Sequence, residues 1–155
     1  MIAVSACLAG IACRYDGTAF VCPELAAMME TGQAIAVCPE VLGGLTIPRP
    51  PAEIQTGRVV TIDGQDVTEA YRRGALAALA IVREHGCDLA VLKARSPSCG
   101  AGQIYDGGFA GRLVAGNGFF AELLRQAGIP AYTEQEFKLR SGELPGRGKA
   151  SIRKK

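Results

Sequence analysis

The chain has 155 residues, 48% of them hydrophobic, enough for one compact domain with a buried core and too few for two ordinary ones. Its net charge of +2 hides an asymmetry: Arg147, Lys149, Arg153, Lys154 and Lys155 lie in a stretch without acids, and elsewhere 12 bases face 15 acids, a net of −3. Clustered Lys and Arg are what give nonspecific affinity for phosphate backbones, so a duplex-binding folded body is excluded, and no apolar run approaches the ~20 residues that span a bilayer.

The first element is a β-branched run, Ile2 to Ser5, ending at Cys7, Leu8, Ala9 and Gly10, as a buried strand entering a loop would. Met1 to Gly10 has no basic n-region and is interrupted by Ser5 and Cys7, so it does not read as a signal peptide and a cytoplasmic protein is expected. In that reducing setting six cysteines imply metal binding, catalysis or burial rather than a disulfide framework.

Past a polar turn at Tyr15, Asp16 and Gly17, a helix is expected over Pro23 to Thr31, with Pro23 in its first turn and Gly32 after its end. A second apolar strand, Ala34 to Val37, stops at Cys38 and Pro39. From Glu40 to Pro51 the glycines and prolines predict a stiff loop without regular structure, and long loops of this kind are usually functional. Arg58 to Ile62 reads as a short strand. Asp66 and Glu69 suggest a capping box opening a long amphipathic helix that closes at His85 and Gly86. A strand at Asp88 to Leu92 follows, then a loop through Ser96, Pro97, Ser98, Cys99 and Gly100, and a Gly-rich stretch to Gly118. A helix over Phe119 to Gln126, a strand near Pro130 to Tyr132 and a last helix started by Thr133 with Glu136 complete the pattern.

Apolar strands alternating with amphipathic helices predict an α/β fold, a small single-domain Rossmann-like parallel sheet with helices on both faces. Residues 1–140 are assigned to this domain and 141–155 to a basic, disordered tail. Ligands of such sheets bind beyond the carboxyl ends of the strands, where the order of connections reverses. Cys7, Cys38 and Cys99 each follow a predicted strand beside Gly or Pro, so three cysteines distant in sequence are expected to converge on one site. Cys87, where a helix turns into a strand, reads as core; Cys22 before a helix and Cys13 in a loop have no clear role, with Cys13 near enough to Cys7 for a spare ligand to be a minor alternative. Three thiolates are incomplete for a closed structural zinc site. Thiolates suit iron–sulfur chemistry and zinc alike, a three-cysteine cubane would leave one iron open, and spacing alone does not choose.

Ser5-Ala-Cys-Leu-Ala-Gly10, Arg14-Tyr-Asp-Gly17, Cys38-Pro-Glu40, Pro48-Arg-Pro-Pro-Ala-Glu53, Asp66-Val-Thr68 and Ser96-Pro-Ser-Cys-Gly100 follow one another in an order that resembles the thiouracil desulfidase family, long catalogued as a domain of unknown function. The similarity runs from about Met1 to Glu136. It implies non-redox desulfuration of thiolated uracil bases or nucleotides, thiouracil or 4-thiouridine monophosphate, on a [4Fe-4S] cluster with one open iron. By the same resemblance Cys7, Cys38 and Cys99 are the cluster ligands, Glu40 the acid/base residue and Ser96 an assisting serine. A carboxyl desolvated beside a cluster suits the proton transfers that accompany water attack and sulfur departure. Ser98 is a lesser candidate at the substrate, and Arg14 and Arg49 could hold a phosphate. Two other readings remain at this level: a metal-free persulfide sulfurtransferase using Cys99 or Cys7, and a non-catalytic nucleotide- or cluster-binding module.

Overall fold

The computed structural model describes residues 1–139, so the tail assigned to 141–155 lies outside the described residues. Four short strands, β1 (Ile2–Ser5), β2 (Ala34–Val37), β5 (Leu89–Leu92) and β8 (Ala131–Thr133), form a parallel sheet in the order β2-β1-β5-β8. Its register pairs Val4 with Ala36 and with Val91, and Val91 with Tyr132. The chain leaves β1 for one side of the sheet and returns to the other at β5, so the reversal of order falls between these two central strands.

Both faces are covered, which is why β1 and β5 read as unbroken apolar runs. Ile2, Val4, Leu89, Val91 and Tyr132 pack with Leu25 and Met28 of α1 (Pro23–Glu30) and Phe137 of α5 (Glu134–Leu139). On the opposite face Ala3, Ala90 and Leu92 pack with Ala75, Ala78 and Val82 of α3 (Thr68–Glu84) and with Phe120, Ala121 and Leu124 of α4 (Phe119–Gln126). Cys87 is buried in this second core, as expected of a packing residue.

Four local expectations change. The Glu40–Pro51 stretch is not wholly irregular, because Pro39, with its fixed φ at the first helical position, opens the one-turn helix α2 (Pro39–Leu42). Ahead of β4 (Arg58–Thr61) lies β3 (Ala52–Gln55), antiparallel to it across a two-residue turn in which Thr56 and Gly57 both have positive φ, 50° and 79°. The Gly-rich stretch before Gly118 contains a second hairpin, β6 (Gln103–Tyr105) with β7 (Leu113–Ala115). The capping box at Asp66 does not form: Asp66 Oδ1 instead accepts the Thr68 N–H at 2.9 Å and the Thr68 hydroxyl at 2.6 Å, and Glu69 pairs with Arg72. The box expected at Thr133 does form, with the Thr133 N–H donating to Glu136 Oε1 at 2.9 Å and the Glu136 N–H to Thr133 Oγ1 at 3.1 Å.

Among the described residues no helix is long and apolar enough to cross a membrane.

Candidate active site

The loops leaving β1, β2 and β5 open onto a cavity of about 540 Å³, and every residue singled out in the sequence lines it: Cys7, Cys38, Cys99, Glu40, Ser96, Ser98, Arg14 and Arg49. Cys7 lies in a short 3-10 turn, Ala6–Ala9, closed by Gly10 at φ 100°. Cys38 precedes α2 in extended backbone, so that thiol and the Glu40 carboxyl leave the same turn of chain. Cys99 sits in a loop that Ser96 closes on itself, its hydroxyl oxygen accepting the N–H groups of Ser98 and Cys99, each at 3.0 Å. The same loop is fixed to the start of α4, whose Phe119 and Phe120 amides donate to the carbonyls of Pro97 and Ser98 at 2.9 and 2.8 Å.

The thiols are not equivalent. Burial pushes Cys7 up to about 11, partly opposed by the charges of Lys93 and Arg14. Burial also raises Cys99, against hydrogen bonds from Ser5 and Ser98. The Ser5 oxygen already accepts the Lys93 N–H at 2.9 Å, which leaves its hydroxyl proton for Cys99. Cys38 moves the other way, held below the ordinary thiol value chiefly by a hydrogen bond from Cys13, whose own value rises in consequence. The spare thiol near Cys7 is therefore engaged with Cys38.

Glu40 is fixed from one side. Its Oε1 accepts from Arg49 Nε at 2.9 Å and lies 2.7 Å from Nη2. The Arg49 fork also reaches the carbonyls of Thr46 at 3.0 Å and Cys13 at 2.9 Å, so one guanidinium ties together three segments of chain. Oε2 receives the Ser98 hydroxyl at 2.9 Å and lies 3.4 Å from Ser96 Oγ. Ser96 and Ser98 are 2.9 Å apart. Because Ser96 Oγ already accepts two backbone N–H groups, its single proton points to Ser98 or Glu40, giving a directed chain Ser96 to Ser98 to Glu40. Ser98 is only 2% exposed and serves as the inner link of this chain.

Several lining residues had no signal in the sequence reading. Tyr71 of α3, 3% exposed, hydrogen-bonds Glu40, and burial first and the Glu40 charge second push its phenol far up. Lys93 lies 3.1 Å from Glu134 and 4.6 Å from the centre of the Phe20 ring. Arg95 has a positive φ of 73° and, among the described residues, no ion-pair partner. Arg14, by contrast one of the sequence candidates, is loosely held, 3.5 Å from Thr18 Oγ1 and 5.9 Å from the centre of the Tyr15 ring.

Comparison with known proteins converges. A family described as 2-thiouracil desulfurase matches residues 2–136. The chain is 42% identical over 146 residues to the uncharacterized protein YbbK of Bacillus subtilis (strain 168), an alignment covering 88% of this chain and 97% of that one. It also superposes, with a TM-score of 0.84 and 47% identity, on a solved structure of a [4Fe-4S]-dependent thiouracil desulfidase, TudS, over 90% of this chain and 94% of the other.

Proposed function

We propose, from the premise that this chain belongs to the 2-thiouracil desulfurase family, that it is a [4Fe-4S]-dependent desulfidase converting a thiolated uracil and water to the oxo base and hydrogen sulfide. The exchange of C=S for C=O needs no net electron transfer, only a water, and protons moved in order. The observation that carries this reading is the Ser96–Ser98–Glu40 chain ending in the cavity that three cysteines line.

The donor set fits a cluster. Among the described residues no three His, Cys, Asp or Glu side chains are gathered to hold a metal ion. A cluster suits the three thiols because its irons are separate attachment points. Cys7 and Cys99 are buried where their thiolates are disfavoured, so an adjoining cationic group is what would stabilise the ligand form. Cys7, Cys38 and Cys99 would hold the cluster, and Cys13 would support Cys38 as a hydrogen-bond donor. When bound, the cluster supplies an open iron, a Lewis acid for the thiocarbonyl sulfur.

The remaining work falls to side chains. Arg49 anchors one oxygen of Glu40, leaving the other as the base for the attacking water. A proton taken there can be delivered by Glu40 itself to the departing sulfur, while the Ser96 and Ser98 hydroxyls, directed toward Oε2, hold the carboxyl in place. Arg49 is thus a positioning residue for Glu40, its guanidinium already committed to three partners. Arg14 and Arg95 line the cavity with fewer commitments and are better placed to meet a substrate phosphate, and the cavity volume has room for a nucleotide.

The test is anaerobic reconstitution, iron and sulfide counting, and sulfide release from 4-thiouracil and 4-thiouridine monophosphate, repeated with each cysteine replaced singly. Loss of iron and activity together in Cys7→Ser, Cys38→Ser and Cys99→Ser supports the reading. Full turnover by iron-free protein, with a single essential cysteine, would replace it with persulfide chemistry, and ligand binding without sulfide release with a non-catalytic module.

A further inference from the structure

The turn joining β6 to β7 is held with more effort than a surface hairpin requires. Glu53 of β3 is 9% exposed, and its Oε1 accepts the N–H groups of Gly107 at 3.0 Å and Phe109 at 3.1 Å, across more than fifty residues of chain. From the same strand Gln55 Nε2 donates to the Gly107 carbonyl at 2.7 Å. Gly107 has a φ of 95°, and a Cβ there would come within 2.7 Å of the Ile54 carbonyl oxygen, so the turn is seated directly on β3. A carboxylate taken from water and aimed at two amides of a turn fixes that turn's backbone.

What this fixes is Phe109. Its φ of 55° lies in the left-handed region, uncommon for a bulky side chain and tolerated where surrounding structure enforces it. In that conformation Phe109 lines the cavity shared with Glu40, Ser96 and the three cysteines. The other aromatics on the walls are less suited to meet a flat ligand: Tyr15 is 41% exposed with the Arg14 guanidinium over its ring, Tyr71 is buried and hydrogen-bonded to Glu40, and Tyr105 occupies an ordinary strand position.

We infer that Phe109 is the stacking residue that holds the pyrimidine ring of the substrate, with Glu53 as the positioning residue that aims it. The inference rests on the desulfuration reading for the identity of the ring, and on this chain's own geometry for the residue. A thiolated uracil carries its polar atoms around the ring edge and leaves two π-faces, so an aromatic wall fixes its plane while leaving the thiocarbonyl edge to the thiols and Glu40.

The reconstituted full chain is assayed in two ways: KM and kcat for sulfide release from 4-thiouracil, and calorimetric affinity for the sulfur-free product uracil. Phe109→Ala is expected to raise KM and weaken uracil binding about ten- to a hundred-fold, with kcat changed far less and iron content and Tm kept. Phe109→Tyr restores binding, whereas Phe109→Leu, equally apolar but without a π-face, does not. Unchanged affinity in Phe109→Ala, full affinity in Phe109→Leu, loss confined to Tyr105→Ala, or no uracil binding by the unsubstituted protein each overturns the inference. Phe109-dependent uracil binding without any sulfide release would instead sink the desulfuration reading and leave the stacking role standing.

Discussion

Replacing Gly74 by alanine reaches the active site through packing alone. Gly74 lies in α3, one turn beyond Tyr71, and a Cβ built on it would lie 1.8 Å from the Pro39 carbonyl oxygen and 2.9 Å from the Gly43 nitrogen, both backbone atoms. Gly43 faces the same crossing, where a Cβ would meet the Ala70 carbonyl at 2.0 Å. Restoring ordinary separation requires α2 to retreat by about 1.5 Å. That displacement carries Pro39 and its neighbours Cys38 and Glu40 away from Ser98 and Arg49. Overpacking of this kind costs about 1–3 kcal/mol, roughly 3–10 °C in Tm for a chain of this size. Misplacing a reacting group by about 1 Å lowers turnover on the order of 100-fold. Differential scanning calorimetry, iron counting and sulfide release on Gly74→Ala measure the three consequences, and Leu76→Ala, 54% exposed on the same helix, should leave all three near wild type. An active Gly74→Ala protein with unchanged Tm would refute the close crossing of α2 and α3.

Ser96→Ala and Ser98→Ala should each lower kcat about 100-fold with iron retained, and the double variant should be little worse than either, because one hydrogen-bonded chain to Glu40 is cut once; single-turnover sulfide release distinguishes this from additive losses. Arg49→Met strands the Glu40 carboxylate, whose side chain is 12% exposed, and should destabilise the chain by about 3 kcal/mol on thermal denaturation. Arg49→Lys should rescue little, since one ammonium cannot reach Glu40, Thr46 and Cys13 together. In iron-free protein a pKa held below the ordinary thiol value means more thiolate at neutral pH, so Cys38 should alkylate well before Cys7, which reacts appreciably only as pH climbs toward about 11. Cys13→Ala removes the donor, raises Cys38 and moves its alkylation curve to higher pH; peptide mapping against pH reads both effects, and an unmoved curve would contradict the Cys13 hydrogen bond.

The parallel sheet was legible because β1 and β5, buried on both faces, leave unbroken apolar runs, and the position of three cysteines after strand ends was enough to gather them. β4 also reads as a strand, but the two hairpins were not legible, since β3, β6 and β7 are only three or four residues long and lie among prolines and glycines. Thr56-Gly57 between apolar runs was the one local signal for the first of them. Glu40 could be named from its motif, but its state could not. Arg49, Ser98 and Tyr71 reach it from 9, 58 and 31 residues away, and no window of sequence contains that meeting. Glu53 lay in the Pro48–Glu53 motif, but its role, and Phe109 altogether, were hidden for the same reason: a buried carboxylate looks solvated until the amides it serves are found.

The cysteine-proline-glutamate run explains how so short a helix can serve as a scaffold. α2 has four residues and cannot be stable on its own, because a single helical turn orders more backbone than its hydrogen bonds repay. Its rigidity comes from outside: Gly43 and Gly74 allow backbone contact with α3, Arg73 donates to the Gly43 carbonyl at 2.6 Å, and Arg49 clamps Glu40 to Thr46 and Cys13. The thiol of Cys38 and the carboxyl of Glu40 are thereby held by the same rigid support, so a disturbance of α3 displaces both at once. The Ser96–Cys99 loop hangs separately, from α4 and the end of β5. In the proposed mechanism, turnover depends on the spacing between those two supports, bridged by the hydrogen bond from Ser98 to Glu40, and that contact should be the first to fail when either support shifts.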